Sequence, residues 1–177
     1  MIYGYTLNAI RYTLEKVDKI IANIYNLFSI YNWFLNVKKK KMGTRRQGRE
    51  ASLQMLYLYD TCGFTESEAL PFCETLDIES VSKDFAMQLF KGTLELRNRL
   101  DRIISECAEN WDIARMAVVD RNILRMAAFE IVGMPETPIN VVIDEAVEIA
   151  KKYSTSDSSK FVNGILDKLK KERKKPA

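Results

Sequence analysis

Histidine is missing from all 177 residues. Its absence removes the commonest general base and the Ser/His and Cys/His arrangements of nucleophilic catalysis. Cysteine is scarce: Cys62, Cys73 and Cys107 are odd in number, widely spaced, and form no CxxC pair. The chain therefore has neither zinc-ligand spacing nor a disulfide framework, and reduced thiols in a cytoplasmic setting are expected. No Gly-rich phosphate loop, nucleophile elbow or internal repeat is present, and the lone Gly164 in "VNGILD" carries no nucleotide signature. Period-two alternation is lacking over any useful length, which argues against strands. No active site, metal or cofactor is expected.

Charge of both signs is abundant and unevenly placed. The net charge is +3, but residues 1–41 hold seven basic and two acidic groups, and residues 42–49 add three arginines. Residues 50–167 then carry eleven basic and twenty-one acidic groups, and residues 168–177 six basic and one acidic. An acidic body with cationic ends attracts a polyanion only where those ends meet one another or the internal lysines and arginines.

The first 41 residues differ from the rest. Asn, Ile and Tyr make up sixteen of them, and Ile20 to Val37 runs eighteen residues without a charge before four lysines. A membrane span needs about 17–25 residues, but four asparagines and a serine weaken that reading, and a secretory signal would place its cations before the apolar run. The expectation is that 1–41 is leader sequence outside the domain, with Met42 as the start. A weak membrane or partner-binding helix, or a real structural element, are the alternatives.

After Met42, helical spacing recurs throughout. From Thr44 to about Thr61, Ala51, Met55, Leu58 and Tyr59 gather on one side and Arg45, Arg46 and Arg49 on another, with Gly63 ending the helix. Thr65 and Glu68 form a capping-box pattern for a short second helix. One long helix is expected from Ser82 to about Cys107, where Leu89, Leu96 and Ile103 repeat at seven, Leu100 and Cys107 run beside them, and Gly92 marks close packing or a bend. "IARMAVVDRNILRMAAFEIV", from Ile113 to Val132, is apolar on most sides and belongs at the centre of a bundle. After "GMPETP", Thr137 and Pro138 suit an N-cap and first helical residue for a stripe of Ile139, Val142, Ile143, Ala146, Ile149 and Ala150. The last helix turns Phe161, Val162, Ile165, Leu166 and Leu169 inward. The fold class is all-α, with six or seven helices.

Chemistry is sparse on these helices. Asp144, Glu145 and Glu148 fall on a polar face and read as solvated. Arg45, Arg46 and Arg49 are another matter. Cations at a helix N-terminus oppose the dipole by roughly 0.3–1 kcal/mol each unless something anionic offsets them. Free backbone N–H groups and planar guanidinium forks together suit phosphate. Those three arginines are expected to bind a polyanion.

The blocks "RRQGREASLQMLY", "NWDIARMAVVDRNILRMAAFE" and "PINVVIDEAVEIAKKYSTSDSSKFVNGILDKL" closely resemble three blocks of the NusB family of bacterial transcription antitermination factors, in the same order. The resemblance runs from Met42 to about Leu169, giving a NusB-like domain at 42–169 between the leader at 1–41 and a basic tail at 170–177. It implies seven helices in two packed subdomains. It also implies partners: NusE, a protein of the small ribosomal subunit, the single-stranded boxA RNA of ribosomal-RNA leaders, and RNA polymerase with other Nus factors. No reaction and no membrane are implied. By correspondence with the family's motifs, Arg45, Arg46, Arg49, Asp157, Lys160 and Phe161 are expected on the RNA, and Tyr57 and Asp120 toward NusE. Residue by residue there are rivals: Phe161 as core, Tyr57 half-buried, Asp157 as a helix cap. A different class, the RNA-binding module of a ribosomal-RNA methyltransferase, would require a nucleotide-cofactor domain for which 177 residues leave no room.

Overall fold

The structure, a computed structural model, describes residues 44–109 and 111–173. The expected leader at 1–41 and the end of the basic tail lie outside the described residues. Seven α-helices are present among the described residues: α1 (Thr44–Cys62), α2 (Glu66–Glu74), α3 (Ser80–Glu95), α4 (Arg97–Cys107), α5 (Val118–Gly133), α6 (Ile139–Tyr153) and α7 (Ser158–Arg173), with a 3-10 turn at Ile113–Arg115. No strand occurs among them.

Local signals explain most boundaries. Gly63 takes a left-handed φ of +68° immediately after α1, a conformation open to glycine without a Cβ penalty. The Glu68 carboxylate accepts the Thr65 backbone N–H at 2.7 Å and its hydroxyl at 2.6 Å, which anchors the start of α2. Pro138 occupies the N-cap of α6, one residue later than the Thr137–Pro138 pattern suggests.

Two expected helices are interrupted. The stretch from Ser82 to Cys107 is two helices, because Leu96 leaves helical geometry at φ −94° and ψ 6°. Its N–H still donates to Gly92 O at 3.1 Å, while its carbonyl accepts from Leu100 at 2.9 Å. The bend answers two packing demands: α3 lies on α1, whereas α4 lies on α5 and α7. Leu89, Leu100 and Ile104 are thereby all fully buried. The second interruption is the 3-10 turn, capped by Asp112, whose Oδ1 accepts the Ala114 N–H at 2.9 Å; α5 proper begins only at Val118.

Helices α1 to α3 pack together, as do α4 to α7, and α5 touches both groups. One continuous core results, with Phe90, Met55, Leu124 and Ile131 among its largest fully buried side chains. The expected centrality of the fifth helix follows from its apolar circumference. Gly92 is a close-packing glycine: a Cβ there would stand about 2.0 Å from the Phe129 ring. No disulfide joins the three cysteines; Cys73 and Cys107 are buried and Cys62 is half-buried. No helix among the described residues is long and apolar enough to cross a membrane.

Candidate nucleic-acid interface

The first turns of α1 carry three arginines without an acid in the first turn, so the offsetting charge must come from elsewhere in the fold. It comes from α5 and α6. The Arg46 guanidinium grips Glu145 of α6 through Nε at 2.8 Å and Nη2 at 3.0 Å. This hydrogen bond, and the charge behind it, push the Arg46 pKa above its ordinary value. Arg49 grips Glu130 of α5 in the same forked way, its Nε donating to Oε2 at 2.9 Å, and comes within 3.7 Å of Glu145. Glu50, the next residue, accepts from Lys152 Nζ at 2.8 Å and from the Tyr153 hydroxyl. Burial and that carboxylate raise the Tyr153 pKa. The opening of α1 is therefore clasped to both neighbouring helices.

Arg45 is mounted differently. It is exposed, and its guanidinium lies over the Phe85 ring of α3 at 4.3 Å from the centroid, a cation–π contact worth about 0.5–1 kcal/mol at an exposed site. Gly48 makes the mount possible: a Cβ there would meet Phe85 Cδ1 at 2.7 Å and the Ser82 carbonyl at 2.8 Å. A groove of about 390 Å³ opens beside these arginines, floored by Pro138 and Val141 and edged by Glu136.

Of the three arginines expected to face a strand, the structure places Arg45 at the surface, Arg46 half-buried and Arg49 inside. Arg49 is 3% exposed and its partner Glu130 is 1% exposed, so withdrawing Arg49 would strand a buried carboxylate. Breaking such a pair costs about 3–5 kcal/mol, more than a phosphate contact at the surface returns. Glu145, read as solvated, is instead Arg46's partner. Of the carboxylates expected on that face, Glu148 does behave as surface, pairing with Lys151 at 2.6 Å.

Around α7 the expected residues separate likewise. Asp157 and Lys160 are exposed and Phe161 is half-buried, packed both on the core and against Trp111. The Asp157 carbonyl accepts the Phe161 N–H at 3.1 Å, opening the helix. Asp120 is only 7% exposed and its Oδ2 accepts the Ser158 hydroxyl at 2.8 Å. Asp120, expected toward NusE, thus joins the start of α5 to the start of α7. Tyr57 is half-buried, and desolvation raises its hydroxyl pKa. Among the described residues no group of three or more carboxylate or thiol side chains is placed to hold a metal ion.

Sequence reading missed two features. Asp60, near the end of α1, receives Arg97 at 3.2 Å, Arg121 at 3.3 Å and Arg125 at 3.0 Å, while Arg125 also forks onto Asp101. Trp111, 58% exposed, meets the Phe161 ring at 5.4 Å and 63°. A signal existed for the buried pair: Glu130 is the lone charge in the apolar run "MAAFEIV", and a charge in such a run implies a buried counter-ion.

Fold and site together define an all-helical binding domain, in which cations are set by carboxylates and rings rather than aligned with a nucleophile. The sequence profile of the NusB family matches residues 46–171. The chain is 50% identical over 139 residues to the transcription antitermination protein NusB of Elusimicrobium minutum, covering 75% of this chain and 97% of that protein. It is 46% identical over 133 residues to that of Geobacter sulfurreducens, covering 72% and 94%. Among solved structures it resembles T. maritima NusB, with a TM-score of 0.67 and 38% identity over 75% of this chain and 94% of that one. It also resembles a chain from a crystal structure of antitermination factors NusB and NusE in complex with double-stranded RNA, with a TM-score of 0.67, 26% identity, and coverage of 73% and 97%. The chain belongs to the NusB family. Its relatives are named for transcription antitermination, a regulatory rather than an enzymatic role.

Proposed function

We propose that this chain is a transcription antitermination factor that acts with NusE on the single-stranded boxA element of ribosomal-RNA leader transcripts, in company with elongating RNA polymerase and other Nus factors in the cytoplasm. The observation that carries the reading is Arg45. It is an exposed guanidinium held over Phe85 at 4.3 Å, while the two arginines beside it are occupied by carboxylates. That arrangement leaves one preorganised cation at the opening of α1, and preorganisation lowers the ordering cost of binding. Lys160, exposed at the start of α7, supplies a second cation, with Asp157 and Phe161 beside it. A chain of contacts joins the two places: Arg46–Glu145, Glu50–Tyr153 and Ser154–Ser158. In this reading Arg45 and Lys160 meet phosphate, Arg46 is secondary, and Arg49 and Asp120 act only by positioning others. Tyr57 faces NusE.

The test is a fluorescence-anisotropy titration of labelled boxA RNA at several salt concentrations, with and without NusE. Arg45→Ala should weaken binding and flatten the log–log salt slope by about 0.7, the value for one phosphate on a single strand. Stability in urea should fall by no more than the about 0.5–1 kcal/mol of the Arg45–Phe85 contact. Unchanged affinity and slope would overturn the assignment of Arg45, and no cooperative gain from NusE would overturn the partnership.

A further inference from the structure

Trp111 is the largest exposed apolar side chain among the described residues, and the fold goes to some length to hold it. Glu109, two residues before it, has a φ of +32°. A non-glycine residue there is strained, and such strain persists only where the surroundings enforce it. The Trp111 N–H donates to Ala108 O at 3.0 Å, closing that turn. On the other side Asp112 caps the 3-10 turn through Ala114 at 2.9 Å. The backbone of Trp111 is thus fixed before and after. Its ring stands edge-on to Phe161 at 5.4 Å and 63°, and Phe161 is in turn seated on the core.

Cations flank the pair. Lys160 immediately precedes Phe161 and Arg115 ends the 3-10 turn; both are exposed. Of the acids nearby, Glu109 pairs with Lys168 at 3.1 Å and Asp112 accepts the backbone N–H it caps, while Asp157 stands exposed one turn before Phe161. A rigid, supported indole beside exposed cations is what unpaired bases on a phosphate strand require, since every base offers a π-face and stacking tolerates any sequence.

We infer that Trp111 is a base-stacking platform, supported by Phe161, that receives one base of the bound single-stranded RNA. The inference rests on the reading of this chain as a single-stranded-RNA binder and adds a contact of a kind that reading does not contain. It separates two roles within the site: Lys160 for the backbone, Trp111 for a base.

The experiment uses the full chain carrying Trp33→Phe, which leaves Trp111 as its single tryptophan. Binding is read by anisotropy of labelled boxA RNA and, separately, by Trp111 emission with unlabelled RNA. RNA should quench the emission. Trp111→Ala should lose roughly 5- to 150-fold in affinity, the range for one stacked base, with an unchanged salt slope, and Trp111→Phe should recover part of the loss. Lys160→Ala should instead flatten the slope by about 0.7. A strand abasic at the stacked position should bind wild type and Trp111→Ala equally. If RNA binds but emission and Trp111→Ala affinity are unmoved, the platform is overturned and the RNA-binding reading stands. No RNA binding by wild type overturns both. Emission that responds to NusE alone, or to protein concentration without RNA, would make the patch a protein interface and overturn the platform. Circular dichroism on both Trp111 variants separates lost stacking from lost fold.

Discussion

Arg45, Arg46 and Arg49 span a little over one turn of α1, yet each has a different principal partner: the Phe85 ring, the half-exposed Glu145 and the buried Glu130, with Arg49 also 5.4 Å from the Phe85 centroid. Sequence spacing established that the three share a region of the helix and that something must offset their charge. It did not establish which one is free, because that depends on Glu130 and Glu145, which stand 81 and 99 residues away along the chain from their partners. The consequence is testable by stability alone. Arg49→Ala should cost about 3–5 kcal/mol in urea unfolding, since it leaves Glu130 buried and unpaired. Replacing both, Arg49→Met with Glu130→Leu, should restore much of that loss, because the desolvated charge disappears with its partner. A single variant as stable as wild type would return Arg49 to the surface.

At the scale of elements, glycine placement decides how closely α1 and α3 approach. Gly48 lies where a Cβ would stand 2.8 Å from a backbone carbonyl, that of Ser82, which cannot rotate aside. Gly48→Ala should therefore push α1 from α3 and cost about 1–3 kcal/mol, the usual penalty of overpacking. Phe85 must shift with it, so RNA affinity should fall as well, through Arg45 losing its mount. A thermal-melt and anisotropy pair checks both; a loss of stability with unchanged RNA affinity would show that the Arg45–Phe85 contact is unimportant to binding. Much of the element plan was legible in the sequence: the Gly63 stop, the Thr65–Glu68 box and the α6 stripe are local signals with local causes. The break at Leu96 was not. Leu89, Leu96 and Ile103 keep a faithful seven-residue repeat across it, and what bends the chain is the need to pack on α1 before the break and on α5 and α7 after it. Trp111 escaped for a similar reason. A tryptophan in a short polar connection reads neither as core nor as surface until the fold shows which side supports it.

Across the whole molecule, α1 is fastened at both ends. Its opening turns are held by the Arg46–Glu145, Arg49–Glu130 and Glu50–Lys152 pairs to α5 and α6. Its last turns are held by Asp60 to Arg97 at the start of α4 and to Arg121 and Arg125 on α5. Residues 49 and 60 lie about 16 Å apart along a helix rising about 1.5 Å per residue, beyond the range at which substitutions usually couple. Glu130→Gln and Asp60→Asn should therefore destabilise additively, within about 0.5 kcal/mol. They should differ in function. Glu130→Gln loosens the turns that carry Arg45 and should weaken RNA binding well below the melting temperature. Asp60→Asn, acting at the far end, should lower the melting temperature by a similar amount and leave RNA affinity at low temperature unchanged. Equal losses of RNA affinity in the two variants would mean that α1 responds as a rigid whole, and that its two fastenings do not divide the labour between site and scaffold.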